Sequence, residues 1–138
     1  MTTIWKSVER EFEASLDALG KSAYWHRLTD ASDIKGLTGQ VSNQANQPSD
    51  YITVMGGVTA FSEVKSTHDK TAFRFSLLQT TQSAHALRIT RAGGLHLVWC
   101  KHVPSGRWYR IPYTAIEQTK KDGRKSIPWR EMTPHVFS

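Results

Sequence analysis

Apolar positions recur every three or four residues near the start of the chain. Trp5, Val8, Phe12, Leu16 and Leu19 form one stripe at helical spacing, which predicts an amphipathic helix over residues 4–19. Thr2 or Thr3 is placed to cap its start and Gly20 to end it. Glu9 and Glu13 lie one turn apart on the edge of the stripe. The pattern lapses over residues 26–49, which carry Asp, Ser, Gly, Asn, Gln and Pro48 with few apolar anchors and read in part as loop. From residue 51 the period becomes two. Residues 51–55 and 58–65 read as strands joined by Gly56-Gly57, a hairpin turn that tolerates positive φ. In the second run Thr59, Phe61, Glu63 and Lys65 share a face. Phe73 and Phe75 predict a short third strand.

Helical spacing returns over residues 77–91, with Leu77, Leu78, Thr81, Ala84, Leu87 and Ile89 on one side. Arg88 and Arg91 occupy its last turn and Gly93-Gly94 stop it. Residues 95–100 and 107–111 form another hairpin, turning at Pro104-Ser105-Gly106, and a short helix covers residues 114–121. This order predicts a mixed α/β (α+β) fold, one small sheet with helices packed on it. The chain shows no internal repeat, and residues 1–138 read as a single domain.

Composition narrows the classes. Hydrophobic residues make up 38% of the chain and charged residues 22%, an ordinary globular balance. No apolar run approaches the roughly 20 residues needed to span a bilayer. The start, Met1 to Lys6, lacks a hydrophobic signal segment, so a cytoplasmic protein with no membrane partner is expected. Cys100 is the single cysteine, which excludes a disulfide framework, and its apolar strand predicts a structural thiol. The six histidines lack the short spacing of a zinc helix. The net charge of +6 favours polyanions, and it matters most beside a site that can act on a phosphate.

One constellation meets that condition. Asp50 opens the first strand, Glu63 follows thirteen positions later, and Lys65 two after that. Glu63 and Lys65 share a strand face, and the hairpin brings Asp50 to the same end of the sheet. Two carboxylates supply hard oxygen ligands for Mg²⁺, with Mn²⁺ as a substitute, and the carbonyl of Val64 is a further candidate ligand. A cation there lowers the pKa of bound water, and Lys65 is placed to orient that water or screen charge on a phosphate. Alone, Glu-x-Lys on a strand is equally a solvated ion pair, and an Asp at a strand start is equally a turn residue. The combination is what points to phosphodiester hydrolysis.

Ser49-Asp50-Tyr51, Phe61-Ser62-Glu63-Val64-Lys65-Ser66, Phe73-Arg74-Phe75-Ser76-Leu77 and Gln82, in that order and spacing, resemble the RecU group of Holliday junction resolvases within the PD-(D/E)xK nuclease superfamily. The resemblance covers roughly residues 9 to 113. It implies a restriction-endonuclease-like core, a homodimer and branched double-stranded DNA as substrate. The short chain is more like a phage-encoded version than a bacterial chromosomal one. Asp50 and Glu63 match the family's metal ligands and Lys65 its catalytic lysine. Glu13 matches the acidic residue of the first helix that faces the metal, with Glu9 as the alternative. Gln82 matches a glutamine that holds substrate or water. The family places a His before it, where this chain has Thr81. The family's stalk corresponds to residues 26–49, which are short and polar here.

Arg74, Arg88, Arg91, Lys101, Arg107, Arg110, Lys120 and Lys121 are candidates for contacts with the DNA backbone, as are Arg124 and Lys125. Taken singly, each reads first as a solvated surface charge; as a set, several are expected to touch phosphate, and such contacts position a duplex without reading its sequence. Two other readings stay open: a nuclease of restriction or repair type acting on other DNA, and a non-catalytic DNA-binding module with the same fold.

Overall fold

The computed structural model describes residues 4–28 and 47–138, with side chains from residue 7 onward. Its elements in chain order are α1 (Ile4–Asp17), β1 (Ala23–Arg27), β2 (Tyr51–Met55), β3 (Val58–Thr67), β4 (Ala72–Arg74), α2 (Thr80–Arg91), β5 (His96–His102), β6 (Arg107–Pro112), α3 (Tyr113–Lys121) and β7 (Ser126–Pro128). Five strands form one mixed sheet in the order β1-β2-β3-β5-β6. Only the central β3–β5 pair is parallel, with α2 in the crossover; the remaining pairs are antiparallel. Helices therefore flank a mixed five-stranded sheet, as the hydrophobic pattern predicts.

Alternation along the strands divides the core by sheet face. Tyr51, Ala60, Val64, Leu97, Trp99 and Trp108 point to one side and bury Val8, Phe12 and Leu16 of α1. Val98, Cys100, Tyr109 and Ile111 point to the other, where they meet Ala86 of α2 and Tyr113 and Ile116 of α3. Val8, Phe12 and Leu16 of the stripe read from the sequence are the buried face of α1; the helix ends at Asp17, so Leu19 falls beyond it and is only half-buried, and the Trp5 side chain and the caps Thr2 and Thr3 lie outside the described residues. A polar chain crosses the α1 side. The hydroxyls of Thr53 and Ser62 are 2.9 Å apart, and the Trp99 indole donates to Ser62 Oγ at 3.1 Å. These bonds satisfy groups that burial would otherwise leave without partners.

The β2–β3 hairpin turns as its glycines predict. Gly56 has φ of 56° and Gly57 of 81°, a turn that needs both residues in the left-handed region.

Four expectations need correction. Residues 23–25, to which the pattern assigns no element, and residues 26–27, at the start of the segment read in part as loop, form the edge strand β1 against β2. Phe73 lies in a strand that never joins the main sheet: β4 pairs with β7, built from the basic tail. Phe75 is not in a strand but opens the 3-10 helix Phe75–Leu77. The second helix starts at Thr80, not residue 77, because Gln79 and Gln82 close a capping box there. Its apolar face rotates accordingly: Ala86 is its buried residue, and Thr81 and Ala84 are not buried.

Candidate active site

The hairpin and the parallel pair together build the site. β2 begins only at Tyr51, paired with Ser62, while β3 continues to Thr67 alongside β5. Beyond residue 62, β3 therefore has one free side, and Asp50 occupies it. The Val64 N–H donates to Asp50 Oδ2 at 2.9 Å, where a strand neighbour would otherwise accept. N–H and C=O of one strand residue point to the same side, so the Val64 carbonyl is directed to the Asp50 side. Ser49, buried, braces the approach by donating its hydroxyl to the Tyr51 carbonyl at 2.6 Å.

A cleft of about 590 Å³ opens here. Asp50, Glu63, Val64, Lys65 and Gln82 all line it. Four of the expected side chains thus converge with the expected carbonyl. Gln82 uses both ends of its amide. Its oxygen accepts from the Gln79 N–H at 2.9 Å, closing the helix cap, and its nitrogen donates to Glu63 Oε2 at 3.3 Å. One residue thereby ties the start of α2 to the acidic centre. Thr81, in the place of the family's His, also lines the cleft.

Glu63 is 2% exposed. Burial, then the adjacent Asp50 carboxylate, raises its pKa well above the carboxylate range; the Lys65 ammonium pulls the other way and is outweighed. Two carboxylates so placed repel when both are ionised. A divalent cation between them removes that penalty, so the donor set fits a hard metal ion. Among the described residues no group of three His, Cys, Asp or Glu is spaced to hold a metal. A cation would take its remaining ligands from a main-chain carbonyl and water, as Mg²⁺ commonly does.

Helix α1 contributes Glu9 to the cleft, the alternative that the resemblance left open, rather than Glu13. Glu13 is turned away and accepts the hydroxyl proton of buried Tyr51. Burial and this bond raise the Tyr51 pKa. Glu9 pairs with Arg27 at 3.3 Å. Arg27 also lines the cleft and was not anticipated, because it belongs to the unforeseen strand β1. Its signal was the adjacent aromatic pair in Ala23-Tyr24-Trp25-His26, too short to stand out beside a polar segment.

The eight basic candidates lie outside this cleft. Arg74 bonds Asp69, Arg91 pairs with Glu117 at 3.5 Å, and Lys101 pairs with Glu11. Lys120 lies 5.8 Å from the ring centroids of Phe75 and Tyr113. Arg88, Arg107, Arg110 and Lys121 are exposed. Most of residues 26–49, the segment matched to a stalk, lies outside the described residues. Cys100 is buried, and burial pushes its thiol up to about 12 against the pull of Lys65, which excludes it as a nucleophile at neutral pH. No helix of the described residues is long and apolar enough to cross a membrane.

The family model described as RecU, recombination protein U, matches residues 28–138. That match begins after α1 and β1, so the placement of Glu9, Glu13 and Arg27 rests on geometry alone. Among solved structures, Hjc of Archaeoglobus fulgidus, described as a Holliday junction resolvase from an archaeal hyperthermophile, aligns with a TM-score of 0.54. It is 16% identical, and the alignment covers 81% of this chain and 75% of that one, a likeness of fold. No curated protein matches.

Proposed function

The chain belongs to the RecU family of recombination proteins, and from that premise we propose that it is an endonuclease that resolves four-way DNA junctions by hydrolysing phosphodiester bonds, with Mg²⁺ as cofactor. The observation that carries the reading is the meeting of Asp50 and buried Glu63 at the mouth of one cleft that also holds Lys65.

Asp50, Glu63 and the Val64 carbonyl would hold the cation. When bound, it supplies positive charge at the phosphate and acidity to a water. The chain's own groups do the rest. Lys65 presents an ammonium to the phosphate oxygens, where negative charge grows during attack. Gln82 keeps Glu63 in place through its amide and offers a polar edge to the attacking water or the substrate. Burial of Glu63 keeps bulk water off one side of the site, which strengthens each charge interaction within it. Glu9 and Arg27 are placed to extend this polar network, and Glu13 supports it from behind through Tyr51. Arg74, Arg88, Arg91, Lys101, Arg107, Arg110, Lys120 and Lys121 are read as backbone contacts for the arms of the junction.

Resolution by paired cuts needs two sites related by a two-fold axis, so the working form is read as a homodimer. Junction selection then comes from shape and charge across two protomers rather than base contacts.

The test sets a four-way junction beside linear duplex of the same sequence in Mg²⁺ or Mn²⁺. Paired nicks in the junction and an uncut duplex are expected. Equal cutting of both would move the protein to the restriction or repair type, and binding without cutting would make it a DNA-binding module. Asp50→Asn should abolish cleavage while keeping or tightening junction binding, since it removes a ligand and a negative charge near phosphate. Unchanged cleavage in that variant would falsify the site assignment.

A further inference from the structure

A second recess, of about 340 Å³, is lined by Arg74, Phe75, Ser76, Lys120, Arg124 and Lys125. Its cations arrive from three elements. Antiparallel pairing sets Arg74 of β4 opposite Ser126 of β7, next in the chain to Lys125. The Phe75 N–H donates to the Lys125 carbonyl at 3.0 Å and pins that rim. The last turn of α3 adds Lys120, whose ammonium lies over Phe75 and Tyr113. Helix polarity explains a lysine at the end of α3, but it does not explain Arg74 or Lys125 converging on the same space.

Charge is left over in this recess. Arg74 is held by Asp69 and Arg124 by both oxygens of Glu131, at 3.1 Å each. Those carboxylates orient two guanidinium groups from the side and offset two of four cations. Like charges gathered so closely oppose folding unless an anion relieves them. The neighbouring hydroxyl of exposed Ser76 suits a phosphate oxygen, while Phe75 is buried and carries the Lys120 ammonium over its ring.

Position decides which phosphate. Ser76 lines the recess and the next residue, Leu77, lines the catalytic cleft. One turn of 3-10 helix separates the two. We infer that the recess binds a backbone phosphate of the strand being cut, close to the scissile phosphate in the adjacent cleft, and so fixes where along the strand the cut falls. This rests on the nuclease reading and adds a subsite to it.

Phosphate-ethylation interference on a four-way junction, in an Asp50→Asn background that leaves the strand uncut, tests it. The parent should show interference at a phosphate within a few nucleotides of the cleavage position. Lys120→Met with Lys125→Met should erase that signal and lower the slope of log affinity against log salt by roughly 0.9 for each phosphate no longer neutralised. Lys21→Met, at an exposed lysine outside the recess and the cleft, should leave both unchanged. Because Lys120 packs on two rings, the Lys125→Met single variant decides by the same readouts if the double variant melts early. A junction-binding parent whose interference and salt slope survive these changes overturns the subsite alone. A parent that binds no junction overturns the functional reading and the subsite together.

Discussion

Burial and the neighbouring Asp50 carboxylate both favour the protonated form of Glu63. The folded chain therefore holds this proton more tightly than the unfolded chain does. Its contribution to stability is complete below the ordinary glutamate pKa and decays as pH rises through the folded value. Metal-free protein should consequently lose stability towards alkaline pH, and Mg²⁺ should restore it by binding only the folded state. Glu63→Gln removes the buried charge: in EDTA at pH 8 it should melt above the parent, and Mg²⁺ should no longer raise its melting point. A lower melting point in EDTA would contradict the buried-charge account. His96 works in the opposite direction. It is 1% exposed with both ring nitrogens unbonded, and burial, then the charge of His85, pushes its pKa down to about 4. A depressed pKa means that its contribution is full above the ordinary value near 6.5 and is lost as pH falls towards 4, a loss of at most about 3 kcal/mol. Urea titrations from pH 7 to pH 4 should show that loss in the parent and a flatter profile in His96→Leu.

At the level of elements, Phe12 is, among the described side chains of α1, the aromatic one that packs on the sheet. Phe12 is fully buried, and its ring centroid lies 5.4 Å from those of both Tyr51 and Trp99 and 5.9 Å from that of Trp108. Truncation to Ala should cost about 3–5 kcal/mol in denaturant unfolding. It should also loosen Glu9 and Glu13, which ride on the same helix. The β2–β3 hairpin depends on its turn in the same way. Gly57 has φ of 81°, where a branched side chain is strained, so Gly57→Val should cost about 1–3 kcal/mol. Cleavage should weaken along with stability in that variant, because the hairpin register is what sets Asp50 beside Val64. A Gly57→Val protein as stable as the parent would show that the turn does not set the register.

On the scale of the whole molecule, an excess of six positive charges acts on a polyanionic substrate through counterion release. Junction affinity should fall by about a thousandfold between 50 and 200 mM salt if six or more phosphates are neutralised. A salt-independent affinity would remove the electrostatic part of the reading. Sedimentation equilibrium should give about twice the 15.6 kDa of one chain if the homodimer is the working form.

Much of this was legible locally. Alternation of period two placed β2 and β3, helical spacing placed the buried face of α1, and Gly56-Gly57 announced the turn between the strands. That turn was enough to bring Asp50, Glu63 and Lys65 to one end, because a hairpin's geometry is set by residues adjacent in sequence. The short strand β1 was hidden, since five residues beside a polar segment carry too little pattern. Strand β7 was hidden because its three residues form a strand only against β4, some fifty positions earlier.

Sequence by itself determined the fold class, the candidate trio and the basic character, all properties of periodicity, short spacing and composition. Tertiary structure alone decided that Glu9 rather than Glu13 reaches the cleft, that Arg27 joins it, and that Arg74 gathers with Lys120 and Lys125. Those choices depend on how a helix is rotated on the sheet and on which distant strands pair. Packing of the whole core sets both, and no local pattern encodes either.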